Sequence, residues 1–393
     1  MVQINNRMHG MKGKDALGFL LNSLCVKPYL KKVDENIKVG RDGFSNQDQF
    51  RAHYVITFYD DSKWCIYSTT SCRSDRIEGI QWIAYNFKDI QNIEKAYLIY
   101  SNTSNKRDLD NFKKLNKDIE NRISYSSLNG ILSQSRLFDL IEEKALKSYN
   151  SGAQKTYKGN IYEVLISTIL SYTDNLKLLQ GGSNQEYVGM YYDVFKSVIF
   201  NLDIKDMQKI EKIEATNDKN KIGKLPSGGN PKTDVLVNIM YKNKNTETRT
   251  ISCKRSVEDS VSVHEYKADD FADVLDKNNE KLRRYLNEFQ KVGAATQMKE
   301  EDKKGLEQEL KPLLKKLCRW VIGGYGGKGQ GIQNADYILM YDEVNIVPTI
   351  HTLEDYCDIL LRSKKTFGTP FSWTYPSKKR GKSIQLKAKL IKE

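Results

Sequence analysis

No run of apolar residues in this chain approaches the length of a membrane-spanning helix, which removes the helical membrane classes from consideration. The first residues, Met1-Val2-Gln3-Ile4-Asn5-Asn6-Arg7, are polar and lack the apolar segment of a secretory signal, so a cytoplasmic location is expected. Six cysteines (Cys25, Cys65, Cys72, Cys253, Cys318, Cys357) are scattered without a C-x-x-C pair. That argues against zinc and dithiol redox sites and leaves buried, reduced thiols as the expectation. Nucleotide-loop chemistry is missing too. The segment Gly323-Gly324-Tyr325-Gly326-Gly327-Lys328-Gly329-Gln330-Gly331 has no Ser or Thr after its lysine, and a strand rather than a helix is expected next. It reads as a flexible surface loop. His264-Glu265 has no second histidine four residues on, so it is not a zinc-protease helix. His264 is expected at the surface or facing a phosphate. There is no internal repeat and no low-complexity linker.

What is present is length, charge and a few dense motifs. At 393 residues with 39% hydrophobic content, the chain is long enough for two domains with packed cores. The formal net charge is +13 and the pI about 9.1. Such a surplus favours a polyanionic partner, nucleic acid ahead of an anionic membrane surface. A lysine-rich composition that merely reflects an AT-rich genome remains the competing explanation.

Along the first 125 residues the pattern is β-rich. His53-Tyr54-Val55-Ile56-Thr57-Phe58 and Lys63-Trp64-Cys65-Ile66-Tyr67-Ser68 flank the turn signal Tyr59-Asp60-Asp61-Ser62 and predict a hairpin. A third strand is expected at Ala96–Tyr100 and a charged helix over 108–123. From about 126 the pattern changes. Leu128 to Leu146 reads as helix, as does the more apolar stretch from Lys158 to Leu170. Gly181-Gly182 and Asn217–Lys221 mark loops. Strands are expected at 234–241, 248–253 and 335–341, with charged helices over 274–290 and 300–320.

The densest chemistry begins at Gly228-Gly229-Asn230-Pro231-Lys232-Thr233-Asp234. Seventeen residues separate Asp234 from Ser252, which opens Ser252-Cys253-Lys254. Strand alternation puts Ser252 and Lys254 on one face. If the two strands pair as a hairpin, Asp234 approaches that face. A carboxylate with neighbouring oxygens suits Mg²⁺. A lysine there can orient or help deprotonate an attacking water and offset phosphate charge. On spacing alone, an ordinary hairpin with a solvated aspartate and lysine explains the same residues. Glu163, on an apolar helix, is a candidate second carboxylate, since core helices seldom carry an unpartnered glutamate. Near the end, Trp373-Thr374-Tyr375-Pro376-Ser377 precedes the basic run Lys378-Lys379-Arg380-Gly381-Lys382, then Gln385 and Lys387. The run can contact phosphates. Gln385 and Lys387 can face one way on a strand, and lysine can donate to guanine O6 and N7.

Thr233-Asp234 with Ser252-x-Lys254 resembles the PD-(D/E)xK nucleases, in which the middle position is usually acidic; Ser252 departs from that pattern. Over residues 150–390 the chain more specifically resembles the MspI family of type II restriction endonucleases. The resemblance rests on the 228–234 block, on Tyr162-Glu163, Val261-Ser262-Val263-His264-Glu265-Tyr266 and Arg319-Trp320, and on Phe367-Gly368-Thr369 with Trp373-Thr374-Tyr375. It implies catalytic roles for Asp234, Ser252, Lys254 and Glu163, with Mg²⁺ held by Asp234 and Glu163. It implies base contacts from Ser262, Thr374, Ser377, Gln385 and Lys387; the phosphate contacts expected of Lys378, Lys379 and Arg380 rest on the basic run itself. The partner implied is double-stranded DNA carrying a short G·C palindrome, most simply CCGG, with a companion DNA methyltransferase in the host.

The expected architecture is α/β (α+β). A PD-(D/E)xK restriction-endonuclease-like core spans 126–393 and an added N-terminal α+β domain spans 1–125. That domain has no counterpart in the resemblance. Its Gly40–Asn46 and Thr69–Arg76 clusters, with Trp82 and Tyr85, suit accessory DNA binding, a structural role or oligomerisation. Two rival functions remain open: a modification- or lesion-directed nuclease of the same fold, and a DNA-binding protein with a weakened site.

Overall fold

The computed structural model of the protein describes residues 2–38, 51–101, 106–121, 127–183, 186–226, 228–256, 259–342, 348–376, 379–389 and 391. Ser377, Lys378 and the Gly40–Asn46 cluster lie outside these residues. Two compact units divide the chain: residues 1–196 with 206–213, and residues 197–205 with 214–393.

The first unit opens with helix α1 (Val2–Ser23), then strands β1 (Leu30–Lys38), β2 (Arg51–Phe58) and β3 (Lys63–Thr69). The expected hairpin is present. Phe58 N donates to Ser62 O at 2.9 Å, Asp61 takes φ 62°, and Asp60 Oδ1 accepts from Ser62 N at 3.1 Å. An aspartate tolerates left-handed backbone in such a turn because its short polar side chain bonds locally. Helix α2 (Ser74–Gln91) crosses to β4 (Lys95–Tyr100), and α3 (Lys106–Glu120) crosses to β5 (Gly130–Ser133). The sheet order is β1-β2-β3-β4-β5. The pairs β1/β2 and β2/β3 are antiparallel, whereas β3/β4 and β4/β5 are parallel. Ile77, Ala84 and Phe87 of α2 and Phe112 of α3 share one core with Val55, Cys65, Tyr67 and Leu98 of the sheet.

The single helix expected over 128–146 is two elements. Residues 130–133 form β5, and Ser133 caps helix α4 (Gln134–Leu146), its side chain accepting from Arg136 N at 3.2 Å. The apolar spacing of α4 continues without a break into the apolar strand, so periodicity alone runs the two together. Helix α5 (Ser151–Ser171) carries Glu163, which is half-buried. It starts seven residues before the apolar stretch because Asn150 caps it, accepting from Ala153 N at 3.0 Å. Helices α6 (Thr173–Leu179) and α7 (Tyr192–Phe200) follow.

Strand β6 (Ile210–Thr216) and the short helix α8 (Lys219–Ile222) lead into the second unit. Its main hairpin is β7 (Val235–Tyr241) with β8 (Thr246–Ser256), paired antiparallel. Strand β9 (Ser260–Tyr266) and helices α9 (Ala268–Asp276), α10 (Glu280–Val292), α11 (Glu300–Leu310) and α12 (Leu314–Gly323) then lead to β10 (Tyr337–Asp342). Pro312 explains why 300–320 is two helices: it lacks the amide a helix interior needs and sits in the one-turn 3-10 segment between them. Strand β10 pairs parallel with β8 and antiparallel with β11 (Thr349–Thr352), giving the order β11-β10-β8-β7-β6. Helix α13 (Leu353–Leu361) follows. A second sheet, β12-β13-β9, joins the C-terminal strands β12 (Ser372–Thr374) and β13 (Ile384–Lys389) to β9. Trp373 anchors it, packing its ring on Phe271, Phe289 and Phe367 and donating Nε1–H to Thr369 Oγ1 at 2.9 Å.

Candidate active site

Pairing of β7 with β8 fixes the site. Asp234 stands one residue before β7 and its N–H donates to Ile251 O at 2.8 Å, which sets its side chain beside Ser252 and Cys253. Asp234 Oδ2 accepts from Ser252 Oγ at 3.0 Å and from Cys253 N at 2.9 Å, with Lys254 Nζ at 3.4 Å. Lys254 Nζ also donates to Ser252 Oγ at 2.7 Å and Cys253 O at 3.1 Å. The three predicted residues therefore form one cluster. Asp234 and Lys254 side chains are only 16% and 18% exposed, which strengthens their attraction relative to a surface pair. A second ammonium, that of Lys219 on α8, lies 3.5 Å from Asp234 Oδ1. Sequence reading left Lys219 in a polar loop, because nothing in residues 217–221 marks contact with a strand fifteen positions away.

The turn ahead of Asp234 is pinned on every side. Lys232 N donates to Gln333 O at 3.0 Å, and the buried Thr233 gives its hydroxyl to Asn334 O at 3.0 Å. Lys232 Nζ donates to Val263 O and Val321 O, both at 2.6 Å, and to the neutral His264 Nδ1 at 3.2 Å. Part of the Lys232 stem meets solvent, but its ammonium is turned inward. Burial, and then the Lys254 charge, push its pKa down to about 7, against the opposing pull of Asp234. Burial and the Lys232 charge hold His264 well below the usual imidazole value. His264 is 5% exposed, between Tyr266, Phe271 and Trp320, so it is neither a surface nor a phosphate-facing residue. A bulge in β9 puts Val263 and His264 both inside. The glycine-rich segment is also more than a surface loop. Gly324 adopts φ 87° to end α12, and a Cβ there would lie 3.0 Å from Lys232 Cγ.

The second sheet collects the C-terminal candidates. Ile384, Leu386 and Ala388 of β13 are fully buried, so Gln385 and Lys387 point the other way. Lys387 pairs with Ser372 on one side and Ser262 on the other; Gln385 pairs with Thr374 and Glu265. Four predicted contact residues, Ser262, Thr374, Gln385 and Lys387, thus share one polar face, along with Ser372 and Glu265, which the sequence did not single out. Glu265 Oε1 accepts from Lys379 Nζ at 2.8 Å and from Ser383 Oγ at 3.2 Å. Arg380 is turned toward the protein, donating to Val292 O at 3.0 and 2.7 Å. The last 43 residues hold ten basic and four acidic side chains. Among the described residues no helix is long and apolar enough to cross a membrane, and no group of three or more His, Cys, Asp or Glu side chains is placed to hold a metal ion.

Comparison with known proteins comes out consistently. The family model described as restriction endonuclease MspI matches residues 137–388. The type II restriction enzyme BsuFI of Bacillus subtilis is 30% identical over 403 residues, covering 98% of each chain. The type II restriction enzyme MspI of Moraxella sp. is 23% identical over 262 residues, covering 64% of this chain and 97% of its own. The crystal structure of MspI in complex with its cognate DNA superimposes with a TM-score of 0.54 at 21% identity, over 65% of this chain and 99% of that one; this likeness speaks for the fold. The first 136 residues thus lie outside the family-model match, whereas the BsuFI match extends over nearly the whole chain.

Proposed function

The chain belongs to the MspI restriction endonuclease family, and from that premise we propose that it is a type II enzyme that hydrolyses phosphodiester bonds of double-stranded DNA at a short G·C palindrome, CCGG, with Mg²⁺. The observation that carries the proposal is the convergence of Ser252 Oγ, Cys253 N and Lys254 Nζ on one oxygen of Asp234 at the mouth of a hairpin. The residues fit a hard cation. The Asp234 carboxylate, the Ser252 hydroxyl and the Cys253 carbonyl are oxygen donors, and the two ammonium groups drawn to Asp234 mark a spot that attracts positive charge. Mg²⁺ commonly takes one or two carboxylates and keeps waters or phosphate oxygens for the rest. Glu163 is proposed as the further carboxylate, since Ser252 is neutral. When bound, the ion supplies Lewis-acid polarisation of the phosphodiester oxygens. Lys254 orients the attacking water, assists its deprotonation and offsets phosphate charge. Ser252 holds Lys254 and Asp234 in register.

Specificity is assigned to Ser262, Thr374, Gln385 and Lys387 on the shared face, with Ser377 from the adjoining segment. Lys378, Lys379 and Arg380 are assigned to phosphates, the last after release from Val292. Residues 126–393 are taken as the nuclease module and 1–125 as an accessory module. Such an enzyme cuts any unprotected copy of a four-base site, so its host needs a matching DNA methyltransferase and the pair acts in the cytoplasm.

Mg²⁺-dependent cleavage of unmodified plasmid, compared between wild type and Asp234→Ala, tests the chemistry. The variant is expected to bind duplex but not cut; wild-type turnover by Asp234→Ala overturns the site. A wild-type protein that binds and never cuts makes the chain a DNA-binding relative with a weakened site. Sequencing the ends of exhaustively digested DNA tests the specificity separately: ends without a CCGG core refute that assignment even where cleavage is confirmed.

A further inference from the structure

We propose that Lys232 is a positioning residue that ties DNA reading to cleavage, transmitting the seating of β9 to the Asp234 carboxylate two residues further along the chain. The proposal rests on the reading of Ser262 and its strand as DNA-contacting. An ammonium has three protons to donate, and those of Lys232 meet three acceptors: Val263 O, Val321 O and His264 Nδ1. None is left for a phosphate, so the residue works inward.

What it grips is informative. Val263 immediately follows Ser262, the exposed residue of β9 paired with Lys387 across the reading face. Val263 is also the extra residue of the β9 bulge, where the ladder is interrupted and the backbone carbonyl is released to a side chain. The path onward is short and stiff. Thr233 is held through its hydroxyl by Asn334 O at 3.0 Å, and Asp234 through its amide by Ile251 O at 2.8 Å. A shift of β9 on seating Ser262 against a base therefore pulls on the Lys232 ammonium and, through two fixed residues, on the carboxylate that gathers Ser252, Cys253 and Lys254. Packing of α12 against β9 explains the bond to Val321. It does not explain why the lysine lies beside the catalytic aspartate and holds the residue next to a base-reading serine.

A double-mutant cycle separates coupling from packing, because residues acting through one another are not additive while independent ones are. The probe is cleavage of a duplex carrying the mapped site, under single-turnover conditions with Mg²⁺, with binding measured without divalent ion. Ser262→Ala is expected to slow wild-type cleavage by about tenfold, within the range of one base contact. In the Lys232→Met background, itself about a hundredfold slower, the same change is expected to cost less than about threefold. Duplex binding by Lys232→Met should stay within about fivefold of wild type. Multiplying effects in the double mutant make Lys232 a packing residue and overturn the proposal. A silent Ser262→Ala in the wild-type background instead refutes the reading of β9, and the coupling falls with it. Should Lys232→Met not fold, Lys232→Arg carries the same cycle. In wild type, amide exchange gives an independent reading: binding of the cognate duplex should protect β9 and the Cys253 amide together, and protection confined to β9 overturns the link.

Discussion

The two units contain sheets built on the same plan and put to different use. In each, strands run in chain order, a hairpin lies inside the sheet, and a helical crossover brings the next strand in parallel to the hairpin's second strand: β2, β3 and then β4 in one, β7, β8 and then β10 in the other. The hairpins differ in chemistry. Neither β2 (Arg-Ala-His-Tyr-Val-Ile-Thr-Phe) nor β3 (Lys-Trp-Cys-Ile-Tyr-Ser-Thr) contains a carboxylate, and Cys65 and Tyr67 are buried in the core. Burial pushes both groups up, Cys65 to about 12, so neither ionises at neutral pH. The second hairpin places Asp234 and Lys254 at its mouth, partly open to solvent. The crossovers differ as well. One is a single helix; the other is expanded to include β9, which pairs with β13 and builds the polar face proposed to read bases. Likeness of plan between two sheets therefore says little about activity, which depends on the residues a fold carries.

The contrast breaks most visibly at the hairpins. Lys254→Ala is expected to slow single-turnover cleavage by about 10²- to 10⁴-fold, the scale of a lost proton-transfer group. Cys65→Ser, in the second strand of the first hairpin, should leave the rate per folded molecule unchanged. A Cys65→Ser enzyme that folds but no longer cuts would make the first sheet part of the chemistry. A smaller effect separates the reading face from its basic surroundings. Lys387→Ala should reduce discrimination by about 1–3 kcal/mol at one base pair. Lys382→Ala should weaken binding to all sequences alike and lower the slope of log affinity against log salt by about one. Equal loss on cognate and unrelated duplex in Lys387→Ala would move that lysine to the phosphates.

How much of this was legible in the sequence follows from how local each signal is. Asp234, Ser252 and Lys254 were readable because hairpin pairing and strand alternation are short-range rules, and the structure brings the three within hydrogen-bonding reach. Gln385 and Lys387 were readable for the same reason. Lys219, Lys232 and Glu265 were not singled out, since their partners lie on distant segments and their types are ordinary in a chain with 63 basic residues. His264 was misplaced because its burial comes from a one-residue bulge in β9 and from Trp320, far along the chain, and neither leaves a mark in composition. The break between β5 and α4 was missed because apolar spacing on either side of the Ser133 cap is continuous.

The smallest expected effect concerns the histidine of the first hairpin. His53 Nδ1 accepts the Ser68 N–H at 2.8 Å, so the ring is neutral in the folded chain. Burial, with the charges of Lys14 and Arg76 and against that of Glu35, lowers its pKa to about 4. Unfolded, the same ring titrates near 6.5. Above pH 6.5 neither state takes the proton and the neutral fold keeps its full advantage. Between 6.5 and 4 only the unfolded chain is protonated, so stability falls as pH falls, and below 4 the loss levels off. From pH 7.5 to 5.5 this single group should cost the first unit about 1 kcal/mol. The Ser68 amide reports it locally: its exchange protection should drop by roughly tenfold over that interval in wild type, after correction for intrinsic rates, and stay nearly flat in His53→Gln. Equal pH slopes in the two proteins would mean that other groups carry the acid sensitivity of the first sheet. They would also mean that its interior tolerates charge as the second hairpin does, which is the point on which the two sheets are held to differ.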